Sequence, residues 1–273
     1  MKQTKIATAL AMTLLLGVAA PPDSAAQTGE TIEVDVELVL AVDVSRSMTE
    51  RELQIQRRGY AEALNSESVA KAIKNGLIGK IALTYVEWGG VYWQRVVVDW
   101  QIIENEADLA AFANQITANF DGVLRRTSIS SAITYAANKI DDNNFTALRR
   151  VIDISGDGPN NEGPPVTGAR DDALARGMII NGLPLMTREG LGARFHLEDL
   201  DAYYHNCVIG GPGSFVIPVT EWDEFPEAVR RKLVLELAGA DAMPILKAQY
   251  RGETESGYDC LIGERIWQRF IGP

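Results

Sequence analysis

The sequence predicts an α/β fold: a mostly parallel sheet covered by helices on both faces, with one antiparallel strand at an edge. Three observations predict it. Short apolar runs alternate with segments of helical periodicity along most of the 273 residues, the pattern of strands joined by crossover helices. The first run, "TIEVDVELVLAVD" (31–43), begins with alternation and ends continuously apolar, as a strand entering the middle of a sheet does. The run "KIALTYVEWGGVYWQRVVVDW" (80–100) is broken by Gly89-Gly90, a two-residue hairpin signal that supplies the antiparallel edge.

The remaining elements follow in order. "TERELQIQRRGYAEALN" (49–65) opens with Thr49 and Glu52, the spacing of a capping box, and continues with apolar residues at helical spacing. "SESVAKAIKNG" is a second helical piece stopped at Gly76. "ENEADLAAFANQI" and "SISSAITYAANKI" read as helices, and "RRVIDIS" (149–155) as a short buried strand leading into the loop "GDGPNNEGPP". "VTGARDDALARG" is a helix and "MIINGLPL" a strand. "LEDLDAYYHNCV" is a helix, "SFVIPV" a last strand, and "EFPEAVRRKLVLELAG" a long closing helix. Trp88, Trp93 and Trp100, in or beside the hairpin, are expected to pack in the core and along the sheet edge.

Composition sets the broad class. With 46% hydrophobic and 23% charged residues, the chain is ordinary globular material, long enough for one sizeable core. Its formal net charge of −11 argues against nucleic acid as a partner, because phosphate binding needs a basic face.

The N-terminus reads as a signal peptide over residues 1–26. Lys2 and Lys5 precede a short apolar core, "IATALAMTLLLGVAA" (6–20), too short for a comfortable membrane span. Small residues at Ser24 and Ala26 favour cleavage before Gln27, whereas cleavage after Ala20 would put Pro21 beside the cut. Removal takes away two lysines and Asp23, which moves the charge from −11 to −12. No later stretch is long and apolar enough for a span. The expected product is exported, to a periplasm or the medium.

In an oxidising compartment the two cysteines, Cys207 and Cys260, most simply form one disulfide. The alternative is a catalytic thiol at Cys207 with His205 as base. A domain over 27–240 is expected to carry a C-terminal extension, 241–273, packed on it and tied by that disulfide.

Chemistry concentrates where strands end. "LVLAVDVSRSM" (38–48) runs five apolar residues into Asp43, with Ser45 and Ser47 following at alternate positions. Side chains at i, i+2 and i+4 of extended chain point one way, so three oxygens can share one small volume. In open α/β sheets ligands bind beyond the carboxyl ends of strands. Hard oxygens suit a hard cation such as Mg²⁺, which takes roughly six of them near 2.1 Å. The other reading is that Asp43 and the serines only cap the next helix. Two more stretches bear on this choice. "RRTSISSAI" puts Thr127 just before a helix, where it is either a ligand or an N-cap. "VIDISGDGPN" puts Asp157 after another buried strand, as a ligand or a turn aspartate.

Together these residues resemble the von Willebrand factor type A (VWA) domain with its metal-ion-dependent adhesion site. The resemblance covers about 33–240. Its D-x-S-x-S falls on Asp43, Ser45 and Ser47, its threonine on Thr127 with Ala132 and Ile133 beyond, and its strand-end D-G on Asp157 and Gly158. With phrases such as "GDGPNN" and "CVIGGPGSF", the chain is similar to a family of secreted bacterial proteins of unassigned function. The resemblance implies a Rossmann-like three-layer sandwich with one divalent ion at the top. The hydroxyls would ligate directly and the aspartates directly or through water. Mg²⁺ is the first expectation, with Mn²⁺ and Ca²⁺ as alternatives. Two carboxylates with three neutral hydroxyls leave such an ion short of anionic ligands, so the expected partner is a protein presenting a carboxylate. Two features depart from the pattern: Arg125 and Arg126 stand where a glycine is usual before the threonine, and Gly156 replaces the hydroxyl before Asp157.

Enzyme readings find less support. "GDGPNN" lacks the third glycine of a dinucleotide loop, and "GGPGS" (210–214) lacks the lysine of a phosphate loop. There is no H-E-x-x-H, and His196 and His205 lie apart from any G-x-S-x-G. The best enzyme alternative is a metal-dependent phosphate or ester hydrolase with Asp43 as nucleophile, but Ser45 stands where a second carboxylate is favoured. A third reading gives the metal a structural role alone.

Overall fold

The computed structural model describes residues 31–118, 126–187, 197–238 and 257–271. The signal peptide expected over 1–26, Arg125 and His196 lie outside these residues. Five strands form one sheet: β1 (Ile32–Asp43), β2 (Ile81–Trp88), β3 (Gln94–Ile103), β4 (Phe145–Gly156) and β5 (Ile179–Pro184). Their order across the sheet is β3-β2-β1-β4-β5. β1 pairs in parallel with both β2 and β4, β5 extends β4 in parallel, and β3 runs antiparallel to β2 at the edge. This is the mostly parallel sheet with one antiparallel edge strand that the sequence predicts.

β1 is continuously apolar because both of its faces are covered. Val36, Leu38, Leu40 and Val42 point into one core, and Val39 and Ala41 into the other, as the two-residue pleat requires. Helices α1 (Glu50–Leu64), α2 (Glu67–Lys74), α3 (Glu106–Ala118) and α7 (Phe225–Ala238) cover the first face. Helices α4 (Ile129–Asp141), α5 (Val166–Ala175) and α6 (Leu200–Tyr203) cover the second. A π-helical turn over Tyr204–Val208 continues α6, and α8 (Ile262–Ile271) closes the described chain. Among the described residues, no helix is long and apolar enough to cross a membrane.

α1 starts where the capping box places it. Thr49 Oγ1 accepts from the Glu52 amide at 3.3 Å, and the Thr49 amide donates to Glu52 Oε2 at 2.6 Å. Gly59 lets α7 lie close, because a Cβ there would collide with the Phe225 ring.

Three local expectations are corrected. The stretch "SFVIPV" is not a strand; Val216 bridges Gly182 of β5 and Val219 bridges Leu185 just beyond it, since Pro184 and Pro218 each remove a ladder donor. The hairpin is not a two-residue turn. Its connection runs from Gly89 to Trp93 and is closed by Gly89 N–H to Trp93 O at 2.9 Å and Trp93 N–H to Gly90 O at 3.0 Å. Neither glycine has the positive φ that a two-residue turn of type I′ needs. The tryptophans also divide. Trp88 is fully buried and Trp100 packs against Phe145, but Trp93 is 57% exposed.

Candidate metal centre

The sheet order locates the site. From β1 the chain's neighbours lie on opposite sides, β2 on one and β4 on the other, so a crevice opens beyond the carboxyl ends of β1 and β4. Asp43 is the last residue of β1, and Asp157 follows Gly156 at the end of β4.

A chain of hydrogen bonds joins them. Asp43 Oδ1 accepts from the Ser45 amide at 2.6 Å. Ser45 Oγ and Ser47 Oγ are 2.9 Å apart, and Ser47 Oγ donates to Asp157 Oδ1 at 2.8 Å. A hydroxyl has one hydrogen, so with Ser47 donating to Asp157, Ser45 donates to Ser47. Four of the five sequence candidates thus meet through one network.

Neither capping alternative describes this geometry. The cap of α1 is Thr49, not Asp43, Ser45 or Ser47. The cap of α4 is Ser128, whose Oγ accepts from the Ser131 amide. Thr127 is buried one residue earlier and is joined to the loop after β4 by a reciprocal pair: its amide donates to Asn161 Oδ1 at 3.2 Å, and the Asn161 amide donates to Thr127 O at 3.0 Å. This brings the fifth candidate to the Asp157 loop.

Among the described residues the two aspartates have no paired counter-charge. Asp43 is fully buried. Burial, and then the charge of Asp157, push its carboxyl well above the usual range. Asp157, half-buried, is pushed up to about 6 by desolvation, with Glu52 adding to the rise and the Ser47 hydroxyl opposing it. Asp43 Oδ2 is buried without a hydrogen bond, and so is the Tyr204 hydroxyl. Both lie 2.9 Å from the point that a Cβ on Gly156 would occupy. Gly156, where the sequence pattern usually has a hydroxyl residue, therefore leaves room beside the orphaned oxygen.

The donor set fits a hard divalent cation. It offers carboxylates and hydroxyls, with no sulfur or imidazole. Among the described residues no cluster of three or more His, Cys, Asp or Glu could hold a metal, so a site here must draw on the hydroxyls.

Arg126 explains how the missing glycine is tolerated. It adopts φ 65°, the left-handed region where glycine is at ease and other residues incur about 1–2 kcal/mol. Its guanidinium lies 4.7 Å over the Trp267 ring and pairs with Glu162 at 3.4 Å. Trp267 belongs to α8, which is anchored beside the same loop. Cys207 and Cys260 form a disulfide, and no cysteine is free among the described residues; Cys207 is therefore not a thiol nucleophile. Asn160 Nδ2 donates to Glu264 Oε1 at 2.7 Å, while Asn160 Oδ1 accepts from the Ser130 amide at 3.1 Å. Gly263 sits against the Asn160 carbonyl with no space for a Cβ.

Tyr204, Asn160, Asn161 and Gln56, whose side chain donates to Asp43 O at 2.9 Å, are site residues that sequence reasoning did not select. Only the paired asparagines carried a signal, since they sit in the loop that follows Asp157. Tyr204 and Gln56 lie in helices whose periodicity marks them as ordinary packing.

Known structures share the fold. The mussel byssus proximal thread matrix protein 1 is 14% identical over 76% of this chain and 49% of its own, with a TM-score of 0.52. The pilus adhesin SpaC from Lactobacillus rhamnosus GG is 11% identical over 75% of this chain and 30% of its own, TM-score 0.54. A von Willebrand factor type A protein from Catenulispora acidiphila is 15% identical over 75% of this chain and 43% of its own, TM-score 0.49. The matching region spans less than half the length of each of these proteins. No curated protein matches the sequence. The fold is VWA-like, and with residues 33–241 matching its family model, the chain belongs to the family described as "Protein of unknown function (DUF1194)".

Proposed function

We propose that this chain is an exported binding module that holds a divalent ion on Asp43, Ser45, Ser47, Thr127 and Asp157 and uses it to take a carboxylate from a partner protein. One observation carries the reading: two aspartates far apart in sequence, at the ends of the adjacent strands β1 and β4, converge with two hydroxyls, one carboxylate oxygen is buried and unbonded, and no cationic side chain of the described residues pairs with them. A bound ion supplies the missing positive charge and a coordination position open to an outside oxygen. Mg²⁺ is the first choice, because the set is all oxygen; Mn²⁺ and Ca²⁺ share that preference. The fold shared with a matrix protein and a pilus adhesin supports a binding role over catalysis. The disulfide fits an oxidising compartment.

Titration calorimetry with Mg²⁺ and Mn²⁺ is the test. Wild type binds one ion, and both Asp43→Ala and Thr127→Ala abolish binding while circular dichroism is unchanged. Binding that survives both substitutions sinks the assignment. Turnover of a phosphate or ester substrate that disappears in Asp43→Asn would favour hydrolysis instead.

A further inference from the structure

Among the described residues few large apolar side chains are exposed, and two adjacent ones are aromatic. Tyr92 is 91% exposed and Trp93 57%. They occupy the connection between β2 and β3, and that connection is built into the rim of the candidate metal centre. Trp88 O, at its base, accepts from the Val44 amide, next to Asp43. Gly89 O accepts from the Ser128 amide at 2.8 Å, next to Thr127. The Val91 amide donates to Glu162 Oε2 at 3.1 Å, on the loop that follows Asp157. All three segments that bring candidate ligands, two after strands and one before α4, therefore meet this one loop.

The loop is held in shape. Besides the two backbone bonds that close it, Gln94 Nε2 donates to both Gly90 O and Val91 O. A rigid loop that presents two aromatic rings to solvent keeps apolar area wet without an internal reason. It also orders no new backbone when a partner covers it, which lowers the entropic cost of binding. Tyrosine and tryptophan are the side chains most enriched at the energetic centres of interfaces.

The rim also has a charge. Arg46 is exposed between Ser45 and Ser47, and the Arg126 side chain is 42% exposed beside Thr127. Arg126 is already paired with Glu162, so on a chain of net charge −11 Arg46 is the rim charge that favours an acidic visitor over a basic one. The other exposed apolar pair, Leu77 and Ile78, precedes β2 at the opposite end of the sheet and has no such setting.

We infer that Tyr92 and Trp93 form an apolar subsite next to the metal centre, and that the partner is a protein segment whose metal-binding aspartate or glutamate is flanked by an aromatic or long aliphatic residue. This rests on the carboxylate reading above and adds the chemistry of the neighbouring residue. In an extended segment, adjacent residues lie about 3.3 Å apart along the chain, so one carboxylate at the metal delivers its neighbours to the rim.

The test uses short N-acetylated peptides with a central aspartate, flanked by phenylalanine, leucine, serine or lysine. Purified full-length protein is titrated into each in Mg²⁺, in Mn²⁺ and with chelator. Phenylalanine- and leucine-flanked peptides should bind about tenfold more tightly than serine-flanked ones, and only with the ion. The Tyr92→Ser/Trp93→Ser protein should lose that gain while calorimetric ion binding is unchanged. Equal binding of apolar- and serine-flanked peptides, or a gain that survives the double substitution, overturns the subsite and leaves the metal–carboxylate reading intact. Ion binding without metal-dependent capture of any aspartyl peptide overturns both.

Discussion

Two groups of buried carboxylates lie on this sheet, and they are balanced differently. Asp153, on β4, and Glu236, on α7, face each other in the interior with Lys232 between them. Lys232 Nζ lies 2.7 Å from Asp153 Oδ1 and also pairs with Glu236, and Asn181 Nδ2 donates to Glu236 Oε1 at 3.0 Å. All four are at most 2% exposed. At the strand ends, Asp43 and Asp157 are joined by serines alone. The interior group supplies its own cation; the terminal group is open at the rim and supplies none. Another buried carboxylate, Glu87, is balanced like the interior group, since Arg57 and Arg95 both pair with it. Other buried carboxylates are held by hydrogen-bond donors instead: Asp35 accepts from the Ile78 and Gly79 amides, and Glu37 from Asn143 Nδ2. The strand-end pair differs from both kinds, because two carboxylates approach each other there and Asp43 Oδ2 is buried without a hydrogen bond.

The largest expected effect breaks the interior group. Lys232→Met leaves two carboxylates buried and unpaired and should cost about 3–5 kcal/mol in urea unfolding near neutral pH, and less in acid, where those groups take up protons. Wild type already carries a related pH dependence. Burial pushes Asp153 up to about 7, with Glu236 adding to the rise and Lys232 opposing it. The folded state therefore binds this proton more tightly than the unfolded state does. Its contribution to stability is full below the ordinary carboxylate pKa of about 4 and is lost as pH rises toward about 7. Asp153→Asn should flatten that part of the stability profile; a profile with the same slope as wild type would remove Asp153 as its source.

A smaller effect tests the terminal group. In chelator, Asp43→Asn should unfold at the same denaturant concentration as wild type or slightly higher, because it relieves repulsion with Asp157. With Mg²⁺ at a hundredfold its dissociation constant, wild type should gain about 2.7 kcal/mol, and the variant nothing. A large loss for Asp43→Asn in chelator would make the terminal aspartates structural, like the interior ones, and erase the contrast.

The smallest effect concerns the backbone beside Thr127. Arg126→Gly and Arg126→Ala both lose the Trp267 and Glu162 contacts, so comparing them isolates the left-handed conformation. The glycine protein should be more stable than the alanine protein by about 1 kcal/mol. Equal stabilities would mean that the loop relaxes once the arginine is gone.

By itself the sequence determined the strand and helix order, the edge hairpin, the capping box of α1 and the pairing of Cys207 with Cys260. Each rests on local periodicity, on local hydrogen bonding, or on there being two cysteines to pair. It also carried the convergence of Asp43, Ser45 and Ser47, because alternate residues of an extended chain point one way. Only the tertiary structure decided that Thr49 and Ser128, and not Ser45, Ser47 or Thr127, do the capping. It alone brought Tyr204 and Asn160 to the site, exposed Trp93 where the sequence predicted packing, and reduced "SFVIPV" to isolated bridges. The same holds for the lack, among the described residues, of an ion pair to Asp43 or Asp157. The physical reason is common to all of these. Periodicity fixes which way a side chain points from its own element, but charge balance and exposure depend on what other elements place opposite it, and that is set by how the layers pack.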